Sequence, residues 1–198
     1  MKTSLVLLAL SVAACGKPDK SEPASSAAGA IDVASINALV PAELKDKLVF
    51  EQRVVEQERY KVKTSYTLAG PTRWKTSDEK MFASLSAPTD DGFNATEISL
   101  GTYSLCDGPC GAKASEDAYF KHFRTEPWKI TKDESGKTSH LMVAEFTTSD
   151  SVHIMYAWWQ DGATSYNTCS VTLDAPDIRK AAPAFEKACQ AVNVKRVD

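Results

Sequence analysis

Apolar positions along the chain fall into blocks of different period. In residues 32–47, Ile36, Leu39, Val40 and Leu44 recur at helical spacing, and Pro41 splits or kinks that segment. Residues 48–55 are rich in β-branched and aromatic side chains. Tyr60, Val62, Thr64, Tyr66 and Leu68 then alternate at period two until Gly70-Pro71 ends the run. Two further strands are predicted over residues 80–86 and 96–105, separated by a polar loop at 88–95. Ser115 can cap a helix reaching Thr125, with Tyr119, Phe120 and Phe123 as its apolar side. Residues 139–147, 152–160 and 165–173 read as consecutive strands joined by short turns, the second turn marked by Asp161-Gly162. Residues 176–192 carry the best helical pattern, through Ile178, Ala181, Ala182, Phe185, Ala188, Cys189 and Val192.

Strands gathered into a meander, with helices before and after it, predict an α+β domain: an antiparallel sheet packed by helices. The order of elements resembles the PsbP-like group of small α/β/α sandwiches. The likeness rests on the region of Trp74 after a strand, the helix around Tyr119, the hairpins through Trp158 and the closing helix at Phe185. It spans most of residues 58–197 and lies in the succession of elements, with no signature motif.

The N-terminus follows other rules. Lys2 precedes a short apolar run, and Ala13 and Ala14 precede Cys15. The run is shorter than the roughly 20 apolar residues a membrane span needs, so it reads as a cleavable secretory signal over residues 1–14. Val12-Ala13-Ala14-Cys15 resembles the lipobox of bacterial lipoproteins. That resemblance implies cleavage before Cys15 and acylation of its sulfur and its new amine. At about 0.8 kcal/mol per buried CH₂, two or three chains anchor stably where one does not. Gly16, in place of the aspartate that the family's sorting rule retains at the inner membrane, points to the periplasmic face of the outer membrane, with the inner membrane as the alternative. Residues 15–30, rich in Pro, Ser and Ala, read as the lipidated cysteine and a flexible tether. Residues 31–198 then form one domain.

An exported chain changes the reading of the other cysteines. Cys106, Cys110, Cys169 and Cys189 are even in number and predict two disulfides. Of three connectivities, local spacing and strand-to-helix parity favour Cys106–Cys110 and Cys169–Cys189. Zinc is disfavoured because Cys-Asp-Gly-Pro-Cys has no histidine beside it, and a redox pair because three residues separate the thiols. The net charge of −3, or −4 once Lys2 leaves with the signal, gives no general field for nucleic acid or anionic lipid.

Motifs for chemistry are lacking. His122, His140 and His153 are not expected to converge and read as solvated or half-buried. There is no Gly-x-Ser-x-Gly elbow and no Gly-rich phosphate loop. Asp90-Asp91 and Glu116-Asp117 read as surface acids, not as a glycosidase pair. The chain is therefore expected to be no enzyme and to need no cofactor or metal. Trp158 and Trp159, adjacent in a strand, must point to opposite faces, and either one is a candidate contact if exposed.

These features predict a non-enzymatic binding lipoprotein, anchored to the membrane and meeting a protein partner in the periplasm. Its most concrete form is an immunity protein that plugs an exported toxin or lytic enzyme. The candidate inserts are the loop Thr89, Asp90, Asp91, Gly92, Phe93 and the loop Asp107, Gly108, Pro109. The alternative is an envelope-assembly protein or a receptor for glycan, lipid or a small ligand, with a motif-free hydrolase behind both. A protruding polar loop favours inhibition; an aromatic-lined concavity favours a ligand.

Overall fold

A computed structural model describes residues 30–59, 61–79, 81–93, 96–103, 120–125, 127–149 and 151–197. The signal, Cys15 and its tether, the Cys106–Cys110 pair and the loop Asp107, Gly108, Pro109 lie outside the described residues.

The domain opens with α1 (Val33–Asn37), whose first turn is capped by Asp32: its carboxylate accepts the Ser35 amide at 3.1 Å. Pro41 ends the helical run, and a single 3₁₀ turn, Ala42–Leu44, follows. Ile36, Val40, Leu44 and Leu48 are buried at four-residue intervals. Leu39, expected on that side, is 41% exposed because the break at Pro41 turns it outward. The Asn37 side chain joins α1 to the first strand, donating to the Phe50 carbonyl at 2.9 Å and accepting from its amide at 2.8 Å.

Strand β1 (Phe50–Arg59) returns as β2 (Val62–Pro71), and Lys61 turns the chain with φ of 65°. A C-terminal strand, β10 (Asn193–Val197), pairs with the other edge of β2. The second sheet contains β3 (Lys75–Thr76), β4 (Ala83–Ser86), β5 (Glu97–Tyr103), β6 (Trp128–Ser135), β7 (Ser139–Phe146), β8 (Val152–Trp158) and β9 (Tyr166–Leu173). Its order is β3-β4-β5-β9-β8-β7-β6, with every pair antiparallel. The expected meander is β7-β8-β9, and β6 extends it at the edge. Gly162 makes its second turn with φ of 76°, a conformation that favours glycine.

The closing helix is shorter than its pattern. Ile178–Ala181 is 3₁₀, and α2 runs only from Ala182–Gln190. Pro183 sets that start, because a residue without an N–H fits only the first turn. The outcome is α+β as expected, with more strand and less helix: further strands are present, Trp128–Ser135 and Asn193–Val197 among them, and the closing helix is short.

α2 packs on β8 and β9 of the large sheet and on β2 of the small one. Phe185 is fully buried, meeting Phe50 edge-on at 5.2 Å and Trp74 at 5.5 Å. One turn later Cys189 forms a disulfide with Cys169 of β9, Cα to Cα 5.4 Å, as strand parity predicted. The sheets approach closely at Gly70, where an added Cβ would lie 2.4 Å from the buried Leu85 side chain.

Antiparallel partners share a face, so the register divides the large sheet in two. Leu141, Ile154, Tyr156, Trp158, Cys169 and Val171 face α2 and the main core. His140, Met142, Ala144, Met155, Ala157 and Tyr166 face the other way; Met142, Ala144, Met155, Ala157 and Tyr166 form a smaller core there with Phe120 and Trp159.

The Cys169–Cys189 bridge closes a loop of sequence separation 20, for which chain entropy gives about 3 kcal/mol. The double variant Cys169→Ala/Cys189→Ala is expected to lose about that much stability. Denaturant unfolding checks this, and an unchanged midpoint would mean that packing around Phe185 alone holds α2.

Candidate functional site

A groove of about 340 Å³ opens where the β6–β7 turn faces the C-terminal end of α2. Glu134, Ser135, Gly136, Ser139, Leu141, Tyr156 and Gln190 line it. Four elements build it, and the register explains how. Glu134 of β6 opposes Leu141 of β7, and Leu141 opposes Tyr156 of β8, so the three side chains share the face turned toward α2. Ser139 opposes Trp158 on the same face. The Tyr156 and Trp158 rings stack at 5.3 Å with a 17° tilt, both half-buried. Gln190, the last residue of α2 and the neighbour of Cys189, forms the opposite wall. Gly136 donates its amide to the Ser139 carbonyl at 2.7 Å and closes the turn.

A β-bulge between Ile130 and Lys132 makes this possible. Trp128 and Ile130 oppose Phe146 and Ala144 and face the smaller core. Beyond the bulge, Lys132 and Glu134 oppose Val143 and Leu141 and face α2. One extra residue, Thr131, has changed which face the even positions serve, and its hydroxyl donates to the Val143 carbonyl at 3.2 Å.

The electrostatics are acidic and already partly neutralised. Lys132 Nζ lies 2.9 Å from Glu186 of α2 and 3.4 Å from Glu134. The hydrogen bond to Glu186, with both carboxylates' charge, raises the Lys132 ammonium's pKa despite some burial. Burial raises the Tyr156 phenol's pKa, opposed by its hydrogen bond with Ser139. The phenol therefore stays protonated and can donate at neutral pH.

The predicted contacts fare unequally. Trp158 stands on the groove face beside Tyr156, whereas Trp159 is buried in the smaller core. Thr89–Asp91 is a 3₁₀ turn ended by Gly92 at φ of 73°. Asp91 is buried and ion-paired with Arg73, and Asp90 reaches the same guanidinium at 3.4 Å. Phe93 is buried, with Lys47 Nζ 5.6 Å from its ring centre. Only Thr89, Asp90 and Gly92 of this segment remain at the surface. The expected protruding insert is thus mostly committed to the fold.

One histidine departs from expectation and another meets it. His140 is fully buried: it stacks on Phe120 at 4.2 Å, and its Nε2 lies 2.5 Å from Asp133. Arg124 binds the same carboxylate at 2.5 Å, so segment 120–125 is tied to the sheet. Burial would raise the Asp133 carboxyl's pKa, but the hydrogen bonds and charges of His140 and Arg124 outweigh it and lower it. His153 opposes Ala144 in the β7–β8 register. It is half-buried, its ring 4.7 Å from Trp128. Among the described residues, no group of three or more His, Cys, Asp or Glu side chains is placed to hold a metal.

No family model matches the chain. No curated protein matches it either. Among solved structures, it is similar to the Ran-binding protein Mog1p of Saccharomyces cerevisiae at a TM-score of 0.40 and 10% identity, covering 71% of this chain and 89% of that one. A likeness at that level carries no argument about function.

Glu134, Leu141 and Gln190 were not foreseen as site residues; they are distant in sequence and belong to no motif. The sole sequence signal was parity, which set Tyr156 beside Trp158.

The half-buried imidazole of His153 makes a pH prediction. Burial lowers the His153 pKa from its ordinary value of 6.5, with Asp174 partly opposing. The unfolded chain therefore binds this proton first, and stability falls as pH drops from 6.5 toward the lower folded value. Above 6.5 the contribution is complete. His153→Phe keeps a ring against Trp128 and should show a shallower loss between pH 7.5 and 5.5, measured as urea midpoints. An equal loss in both proteins would exclude His153 as the source.

Proposed function

We propose that this chain is an envelope lipoprotein, tethered by acyl chains on Cys15 at the periplasmic face of the outer membrane, that acts by binding and not by catalysis. The observation that carries the binding reading is the groove between the β6–β7 turn and α2. It sets the Tyr156 ring, backed by Trp158, beside hydroxyl, amide and carboxylate groups. Its volume sits at the lower end of small-ligand sites, about 300–1,000 Å³. Its walls are rigid, since Gln190 follows the disulfide-bonded Cys189 and the floor is paired strand. A preformed site loses little entropy on binding.

A partner-protein role, including immunity against an exported toxin, is the second reading. Its structural support is the turn before β4, where Met81 and Phe82 are 60% and 56% exposed. Gln57 of β1 donates to the Met81 carbonyl at 2.7 Å and holds that turn in place. Adjacent exposed apolar side chains on a fixed turn suit a partner's pocket better than the tucked Asp91 and Phe93 do.

Cys15→Ser is expected to move the protein from the membrane fraction to the soluble periplasm on fractionation; retention in the membrane would remove the acyl anchor from the proposal. Purification of the full chain from membranes separates the two binding readings. A small molecule that co-purifies with the native chain and is lost from Tyr156→Phe/Gln190→Ala supports the groove. A stoichiometric exported hydrolase, inhibited by the native chain and released by Phe82→Ser, supports the partner reading. Neither one, from envelopes that contain the chain, would overturn both.

A further inference from the structure

We infer that the groove takes one pyranose unit of a saccharide, neutral or carrying an amino or acetamido group. This rests on the groove being the binding site and adds the ligand's class. The lining is mixed at short range. Leu141 and the Tyr156 ring, backed by Trp158, supply apolar and aromatic surface; Ser135, Ser139, Gln190, Glu134 and the Tyr156 phenol supply polar groups. A wholly apolar ligand would cover these polar groups without replacing the hydrogen bonds they make with water. A pyranose matches both demands, since it presents apolar C–H surface to Leu141 and the Tyr156 ring and hydroxyls around its rim. The groove's size holds about one such ring.

Charge narrows the class further. Glu134 lines the groove and Glu186 lies beyond it on α2, both engaging Lys132, while Lys137 of the β6–β7 turn is paired with Asp161. Glu134 is the more exposed of the pair, its side chain 60% accessible against 17% for Glu186. An anionic sugar entering here meets a net negative charge, whereas an ammonium finds an accessible carboxylate. Uronic acids and phosphosugars are thereby disfavoured, and hexosamines are favoured.

Calorimetric titration of the oxidised full chain tests this with N-acetylglucosamine, glucosamine, glucose and galacturonate, alongside a chitin oligosaccharide and a neutral dipeptide. Saturable binding is expected for glucosamine and N-acetylglucosamine, with galacturonate weaker by about tenfold or more. Tyr156→Phe and Gln190→Ala should each weaken binding roughly five- to tenfold by removing a hydrogen bond, at an unchanged denaturation midpoint for Gln190→Ala. Glu134→Gln should narrow the preference for glucosamine over N-acetylglucosamine. Tighter binding of the oligosaccharide than of its monomer identifies a glycan chain as the source; equal binding identifies free sugar.

No saturation by any sugar up to about 10 mM would overturn the inference, since weaker binding is below useful recognition. Amide chemical shifts of Ser139 and Gln190 then show which part failed. If the dipeptide moves them and the sugars do not, the saccharide class is wrong and the groove stands. If no probe moves them, the groove falls as well.

Discussion

The attachment of α2 between the two sheets is the constraint on which the other parts depend. Phe185 fills the space between Phe50 and Trp74, and Cys189, four residues on and therefore on the same side, is bonded to Cys169. An apolar contact alone holds a helix against a sheet but leaves it some freedom to slide. A covalent bond one turn away fixes its position along the sheet. Everything beyond α2 takes its position from this: Gln190 as one wall of the groove, and β10 as the third strand of the small sheet. The bridge is also a bond that a reducing cytosol disfavours.

The large sheet uses its two faces differently. The face under α2 is continuous with the main core and becomes polar only at the end where the groove opens. The other face carries the smaller core, with His140 buried in it and segment 120–125 held down by Phe120 and Arg124. A buried histidine hydrogen-bonded to a carboxylate is costly to disturb, because either group left alone would be a buried polar atom without its partner. The second face therefore reads as structural, and the groove face as available for binding.

Much of the fold was legible in the sequence, and the reasons for success and failure are local. The end of β2 at Gly70-Pro71 and the hairpin through Asp161-Gly162 follow from alternation bounded by turn residues, and the Cys169–Cys189 pairing follows from matching strand parity to helical period. β10 was missed because Asn193–Val197 is only five residues long and directly follows a strong helical pattern. β6 was missed as a strand because the bulge breaks its alternation in the middle. The acidic segment at Thr89 was misjudged because composition shows charge but not Arg73, which lies sixteen positions earlier and folds over it. The groove was out of reach, since its residues meet only through register and helix docking.

The bulge in β6 gives that strand a residue it can do without. Thr131 is exposed and contributes one hydroxyl contact, so by substitution it would rank as an unremarkable position. With it set aside, Trp128, Ile130 and Asp133 fall on one face and Lys129, Lys132 and Glu134 on the other in simple alternation. Loss of that single codon would therefore straighten the strand and leave each of these side chains on its present face. The pattern of β6 thus survives a change in spacing at this one position, and homologous chains that keep the groove can carry the strand with or without the extra residue.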